Sequence, residues 1–172
     1  SVPVHYLNER GVQSVKEIQW MLNSVIPTME HSPLLISINA LLHLFCSQAQ
    51  VYFILRNMIN LNYSLKETYK IRWHMRFTYE DNNRLISSIL ESFKEISAIS
   101  GKGCIDHLES IGFKPSLLVE DIIYNLFMGY FRIEGVYRLI GFYLREGVKA
   151  LYRMIFALLK TLNSSILDIT SP

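Results

Sequence analysis

Cysteine is scarce in this chain of 172 residues: there are two, Cys46 and Cys104, at no spacing that suits a metal. That excludes a disulfide-stapled scaffold and a cysteine-based zinc module, and makes a reduced, cytosolic compartment the expectation. The five histidines, His5, His31, His43, His74 and His107, never pair at a zinc spacing either. A glycine-rich phosphate loop is lacking, because Gly101-Lys-Gly103 is too short and follows no strand. No cofactor or metal is therefore expected. Charge is thin at 19% of residues, and a net charge of +2 is too small to indicate a nucleic-acid partner. Alternating strand patterns are absent, and the first residues lack a basic region followed by an apolar run, so no secretory signal is expected.

What is present is apolar and helical in period. Half the residues are hydrophobic, and Ser32 to Leu55 carries no charge at all. That length could span a bilayer, which takes about 20 apolar residues. Polar groups nevertheless recur within it at Pro33, Asn39, His43, Ser47, Gln48 and Gln50, so two buried helices joined near Cys46–Gln48 are expected instead. Val15, Ile18, Gln19, Leu22 and Ile26 stripe a first helix of roughly three turns that stops at Pro27. Leu34, Ile38, Leu41, Leu42 and Phe45 mark a second. Val51, Ile54, Leu55 and Met58 mark a third, leaving through Asn60–Asn62.

The segment 65–77 mixes Lys66, Lys70, Arg72 and Arg76 with Tyr69 and Trp73, and reads as a surface helix whose basic stems cover rings. Leu85, Ile86, Ile89, Leu90, Ile96 and Ile99 continue the helical period. Gly101 and Gly103 interrupt it before a short helix over 104–111, with Gly112 placed as its C-terminal cap. Pro115 suits the first turn of a helix through Leu118, Ile122, Leu126 and Phe127. From Asn163 periodicity fades, which gives a helical domain over 1–163 and a linker or tail over 164–172. The fold class expected is all-α.

Few constellations carry chemistry. Cys104, Asp106 and His107 are close in sequence, but neighbouring side chains on one helical turn diverge and cannot align as nucleophile and base. Glu80-Asp81 suits a solvated or capping role. The clearest signal lies in the last long helix, where Lys149, Arg153 and Lys160 fall within about 40° of one another on a helical wheel. Val148, Leu151, Tyr152, Ile155, Leu158, Leu159 and Leu162 form a broad stripe elsewhere. Such a ridge is either an ordinary solvated face or a surface attracted to anionic lipid, with Arg138 and Arg145 just upstream.

The run from Phe113 to Lys160, with Arg138-Leu-Ile-Gly-Phe-Tyr-Leu-Arg-Glu146-Gly147 at its centre, resembles the closing helices of a TBC domain, the fold of Rab GTPase-activating proteins. The resemblance covers about Pro3 to Leu162 and implies a TBC-like helical domain lacking the N-terminal lobe. An acidic residue common three places after the arginine is Gly141 here. Val2 to Gly11, Ile26 to Pro33, Leu41 to His43 and Glu146 to Arg153 are similar to the Skywalker-type branch, which couples its TBC domain to a TLDc domain.

The resemblance implies a small GTPase of the Rab/Arf type as partner. Typical TBC activators supply an arginine finger from IxxDxxR and a glutamine finger from YxQ; the first neutralises charge on the transferred phosphoryl group and the second orients water. The arginine motif would fall before Ser1, and the YxQ position aligns with His31-Ser32-Pro33, leaving Pro33 where the amide belongs. No catalytic residue is expected, and a non-catalytic GTPase-binding scaffold follows; the alternatives are a genuine Rab activator completed by an absent N-terminal segment or a partner, and a purely structural helical module. The branch also implies a phosphoinositide pocket, to which Arg138 corresponds. Arg138, Arg145, Lys149 and Arg153 are the candidate phosphoinositide-binding residues, and a peripheral position on a vesicle or plasma membrane is expected. For Arg138 a second reading stands beside this one: it binds the end of a neighbouring helix.

Overall fold

A computed structural model describes residues 6–26, 32–63, 79–100 and 103–170, and among them it is built from α-helices without a strand. In order these are α1 (Glu9–Val25), α2 (Pro33–Leu42), α3 (Gln48–Tyr63), α4 (Tyr79–Ser100), α5 (Cys104–Ser110), α6 (Pro115–Asn125), α7 (Ile133–Glu146), α8 (Val148–Thr161) and α9 (Asn163–Leu167). None of the described helices is long and apolar enough to cross a membrane. The basic and aromatic segment 65–77 lies outside the described residues.

The first helix is longer than its apolar stripe. Asn8 accepts from the Gly11 N–H at 2.8 Å and starts α1 two turns before Val15, a cap that periodicity alone does not reveal. Val15, Ile18 and Leu22 face inward, while Trp20, half a turn away, is 74% exposed. The second helix sits at the centre. Leu34, Leu35, Ile38, Leu41 and Leu42 are all buried, and α1, α3 and α6 pack around them. Phe45 was expected on this helix but follows it in a turn, half exposed, with its ring edge-on to Tyr137 of α7 at 5.0 Å. The third helix runs on through Tyr63, past the polar exit expected at Asn60–Asn62.

The remaining helices form the second half of the core. Phe93 of α4 is buried against Tyr152 and Phe156 of α8, with ring centroids at 5.0 and 5.1 Å. Gly112 takes φ +89° after α5, and the N–H groups of Gly112 and Phe113 return to the carbonyls of Glu109 and Leu108. This pairing satisfies helix-end acceptors and is open mainly to glycine. Pro115 opens α6 as expected. Leu126 and Phe127, expected to prolong it, instead adopt left-handed φ values of 49° and 61° and bury their side chains. The tertiary demand for two large apolar groups in the core overrides the helical stripe there. Residues 163–167, read as aperiodic, form the short helix α9 against α5 and α8.

A candidate anion-binding edge at the α7–α8 corner

Helix α7 is sharply two-faced. Val136, Leu139, Ile140 and Tyr143 are buried, so Glu134, Arg138, Gly141, Phe142 and Arg145 share the solvent side. Burial pushes the Tyr143 phenol far above its ordinary ionisation range, which marks how dry the inner face is. Gly147 then turns the chain at φ 68°, ψ −149°, a conformation close to glycine-only, and α8 begins at once. Its N–H closes α7 on the Tyr143 carbonyl at 2.7 Å.

This corner decides how the four candidate cations meet. The Glu146 carboxylate accepts from the Arg145 guanidinium at 3.1 Å through one oxygen and from the Arg153 guanidinium through the other. Glu146 is 26% exposed, whereas Arg145 and Arg153 are 69% and 70% exposed, so a partly sheltered carboxylate draws two open cations together. The Arg145 guanidinium also lies 5.4 Å from the ring centroid of half-exposed Phe142. Lys149 is exposed one turn before Arg153 and makes no ion pair among the described residues. Arg145, Lys149 and Arg153 thus lie together. Arg138 stands apart, two turns or about 10.5 Å along α7 from Arg145; it too is exposed and without an ion pair among the described residues.

Sequence reading missed Glu146 and Phe142 as parts of this edge. Phe142 was detectable, four residues after Arg138 and three before Arg145, whereas the pairing of Glu146 with Arg153 depends on the Gly147 turn. The edge carries permanent positive charge suited to anion recognition.

The remaining candidates are occupied structurally. Cys104 donates from Sγ to Asn163 Oδ1 at 2.7 Å, and His107 Nε2 lies 2.9 Å from the Ile169 carbonyl, so both side chains engage the segment after α8 rather than each other. Glu80 pairs with Arg84 on the first turns of α4. No group of metal-binding side chains occurs among the described residues. A cavity of about 380 Å³ lined by Ile122, Phe127, Tyr130, Ile155, Leu159 and Ile166, among others, has no charged side chain in its wall. Pro33 is the first residue of α2, behind buried Ser32. Among the glutamines of α1 and α3, Gln13 and Gln48 both donate to Glu17, Gln19 donates to Asn23, and Gln50 accepts from Ser47.

The family model of the Rab-GTPase-TBC domain matches residues 8–167. This chain belongs to the TBC family. No curated protein and no solved structure matches it. The nine helices named above, from α1 to α9, span the matched range, so the TBC assignment and the all-α architecture describe the same segment.

Proposed function

We propose that this TBC domain is a Rab-binding scaffold of vesicle traffic that rests on an anionic phosphoinositide surface and does not accelerate GTP hydrolysis by the two-finger route. The observation that carries this reading is Pro33. It stands where the family resemblance puts the water-orienting glutamine, and proline has no side-chain amide. Without that amide the attacking water is not oriented, so the domain binds its GTPase without two-finger acceleration. The runner-up is a genuine Rab activator whose arginine comes from an N-terminal segment or a partner.

Membrane attachment rests on the α7–α8 edge, with Arg138, Arg145, Lys149 and Arg153 as its cations. Each basic residue near an anionic surface contributes about 1 kcal/mol, screened by salt. In this reading the protein is cytoplasmic and peripheral on a vesicle or plasma membrane, and belongs to the Skywalker-type branch with its TLDc partner domain. A purely structural helical module is the competing reading, favoured by the ion pairs that Arg145 and Arg153 already make with Glu146.

Co-sedimentation with phosphatidylcholine vesicles carrying a phosphatidylinositol bisphosphate separates the two. Salt-sensitive binding that falls about fivefold in Arg138→Ala and again in Lys149→Ala supports the membrane reading. Equal, salt-independent sedimentation of all three proteins supports the structural one.

A further inference from the structure

We propose that Glu146 makes the α7–α8 corner selective for lipids bearing a phosphomonoester over lipids with only a phosphodiester. The inference rests on the membrane reading above and deepens it. Arg145 and Arg153 both pair with one carboxylate, that of Glu146. Each guanidinium gives Glu146 one nitrogen and keeps its other N–H donors open, so an incoming anion competes with Glu146 for the shared charge and gains the inward-facing donors of both only by displacing it.

The exchange differs between the two phosphate types. A phosphodiester has one negative charge and two free oxygens, much like the carboxylate it would displace, so the swap is close to even. A phosphomonoester carries a charge of about −1.5 to −2 and three strong acceptor oxygens. It can engage both guanidinium forks with charge-assisted hydrogen bonds that a single carboxylate cannot match. Because the two ion pairs are solvent-exposed, they hold weakly enough to be broken. Phe142 stays under the Arg145 guanidinium throughout and keeps that side chain at the surface.

Glu134 provides an internal control. It is exposed on the same side of α7, one turn before Arg138, and makes no ion pair among the described residues. Glu134→Gln removes the same charge as Glu146→Gln without freeing an arginine.

The test measures partition of wild type, Glu146→Gln, Glu134→Gln and Arg153→Gln onto two vesicle types, phosphatidylcholine with phosphatidylserine and phosphatidylcholine with a phosphatidylinositol bisphosphate. Melting curves confirm that each variant is folded. Glu146→Gln is expected to gain about fivefold or more on serine-lipid vesicles. It gains less on bisphosphate vesicles, so the preference of wild type narrows, whereas Glu134→Gln keeps that preference. Arg153→Gln reads the site from the cation side: it loses about fivefold on serine-lipid vesicles, as one cation fewer requires, and clearly more than that on bisphosphate vesicles. Wild-type binding with an unaltered preference in Glu146→Gln, or equal preference changes in Glu146→Gln and Glu134→Gln, overturns the role of Glu146 alone. Failure of every protein to sediment with bisphosphate vesicles overturns the membrane reading and this inference with it.

Discussion

Asn39, fully buried on α2, donates from its side-chain amide to the Val15 carbonyl of α1 at 3.0 Å. His43, one turn later, lies with Nδ1 2.9 Å from the Asn39 carbonyl; a carbonyl only accepts, so this ring nitrogen carries the proton. The Asn39 amide thus pins α1 against the central helix, while buried Ser37 of the same helix donates to the Tyr124 carbonyl of α6. Removing the amide in Asn39→Ala is expected to destabilise the domain by about 1–3 kcal/mol, through the lost hydrogen bond and the space left behind. Urea denaturation measures it, and an unchanged midpoint contradicts it.

Phe93 joins α4 to α8. Its side chain is 1% exposed between Tyr152 and Phe156, so truncation opens a hole where two other rings meet. Phe93→Ala is expected to cost about 3–5 kcal/mol, the usual range for a buried phenylalanine. Chemical denaturation of both proteins checks the size. A loss under 1 kcal/mol, well outside that range, contradicts the packing described.

Gly141 predicts a change of the opposite sign. It lies on the exposed side of α7, and a Cβ placed there meets nothing within 4 Å. Gly141→Ala should therefore stabilise the domain by about 0.5–1 kcal/mol, because alanine gives up less backbone freedom on folding than glycine. Thermal melting checks it, and a lower midpoint shows that α7 is not helical through this position.

Acid sensitivity follows from Glu17. Hydrogen bonds from Gln48 of α3 and then Gln13 hold its carboxyl below the ordinary carboxylate range. A group whose folded pKa is depressed contributes stability above its unfolded pKa and loses it as pH falls through the folded one. Wild type should thus lose its advantage over Glu17→Gln as pH drops from about 5 toward 3. Denaturation curves for both proteins across that window check the slope, and parallel pH profiles contradict the assignment.

How much was legible in the sequence varies with what each feature depends on. The helices themselves were readable because apolar residues recur at the helical period, and Gly112 and Pro115 punctuate them as their backbone chemistry requires. The length of α1 was not, since its start is set by the Asn8 cap rather than by apolar residues. Leu126 and Phe127 misled for the converse reason: they extend the stripe of α6, yet the core holds them in left-handed turns. At the candidate site the basic ridge of α8 was visible on a wheel. The grouping of Arg145 with Arg153 was not, because the angle between the two helices is set by the backbone of Gly147 and no wheel carries phase across that turn.

Single-turnover GTP hydrolysis across a panel of GTP-loaded Rab proteins, with and without this chain, tests the central claim most directly. The account predicts binding to at least one Rab with hydrolysis left at its intrinsic rate. Acceleration on the order of 10³-fold or more for any member would mean that another group does the work for which Pro33 is unfit, and would contradict the scaffold reading.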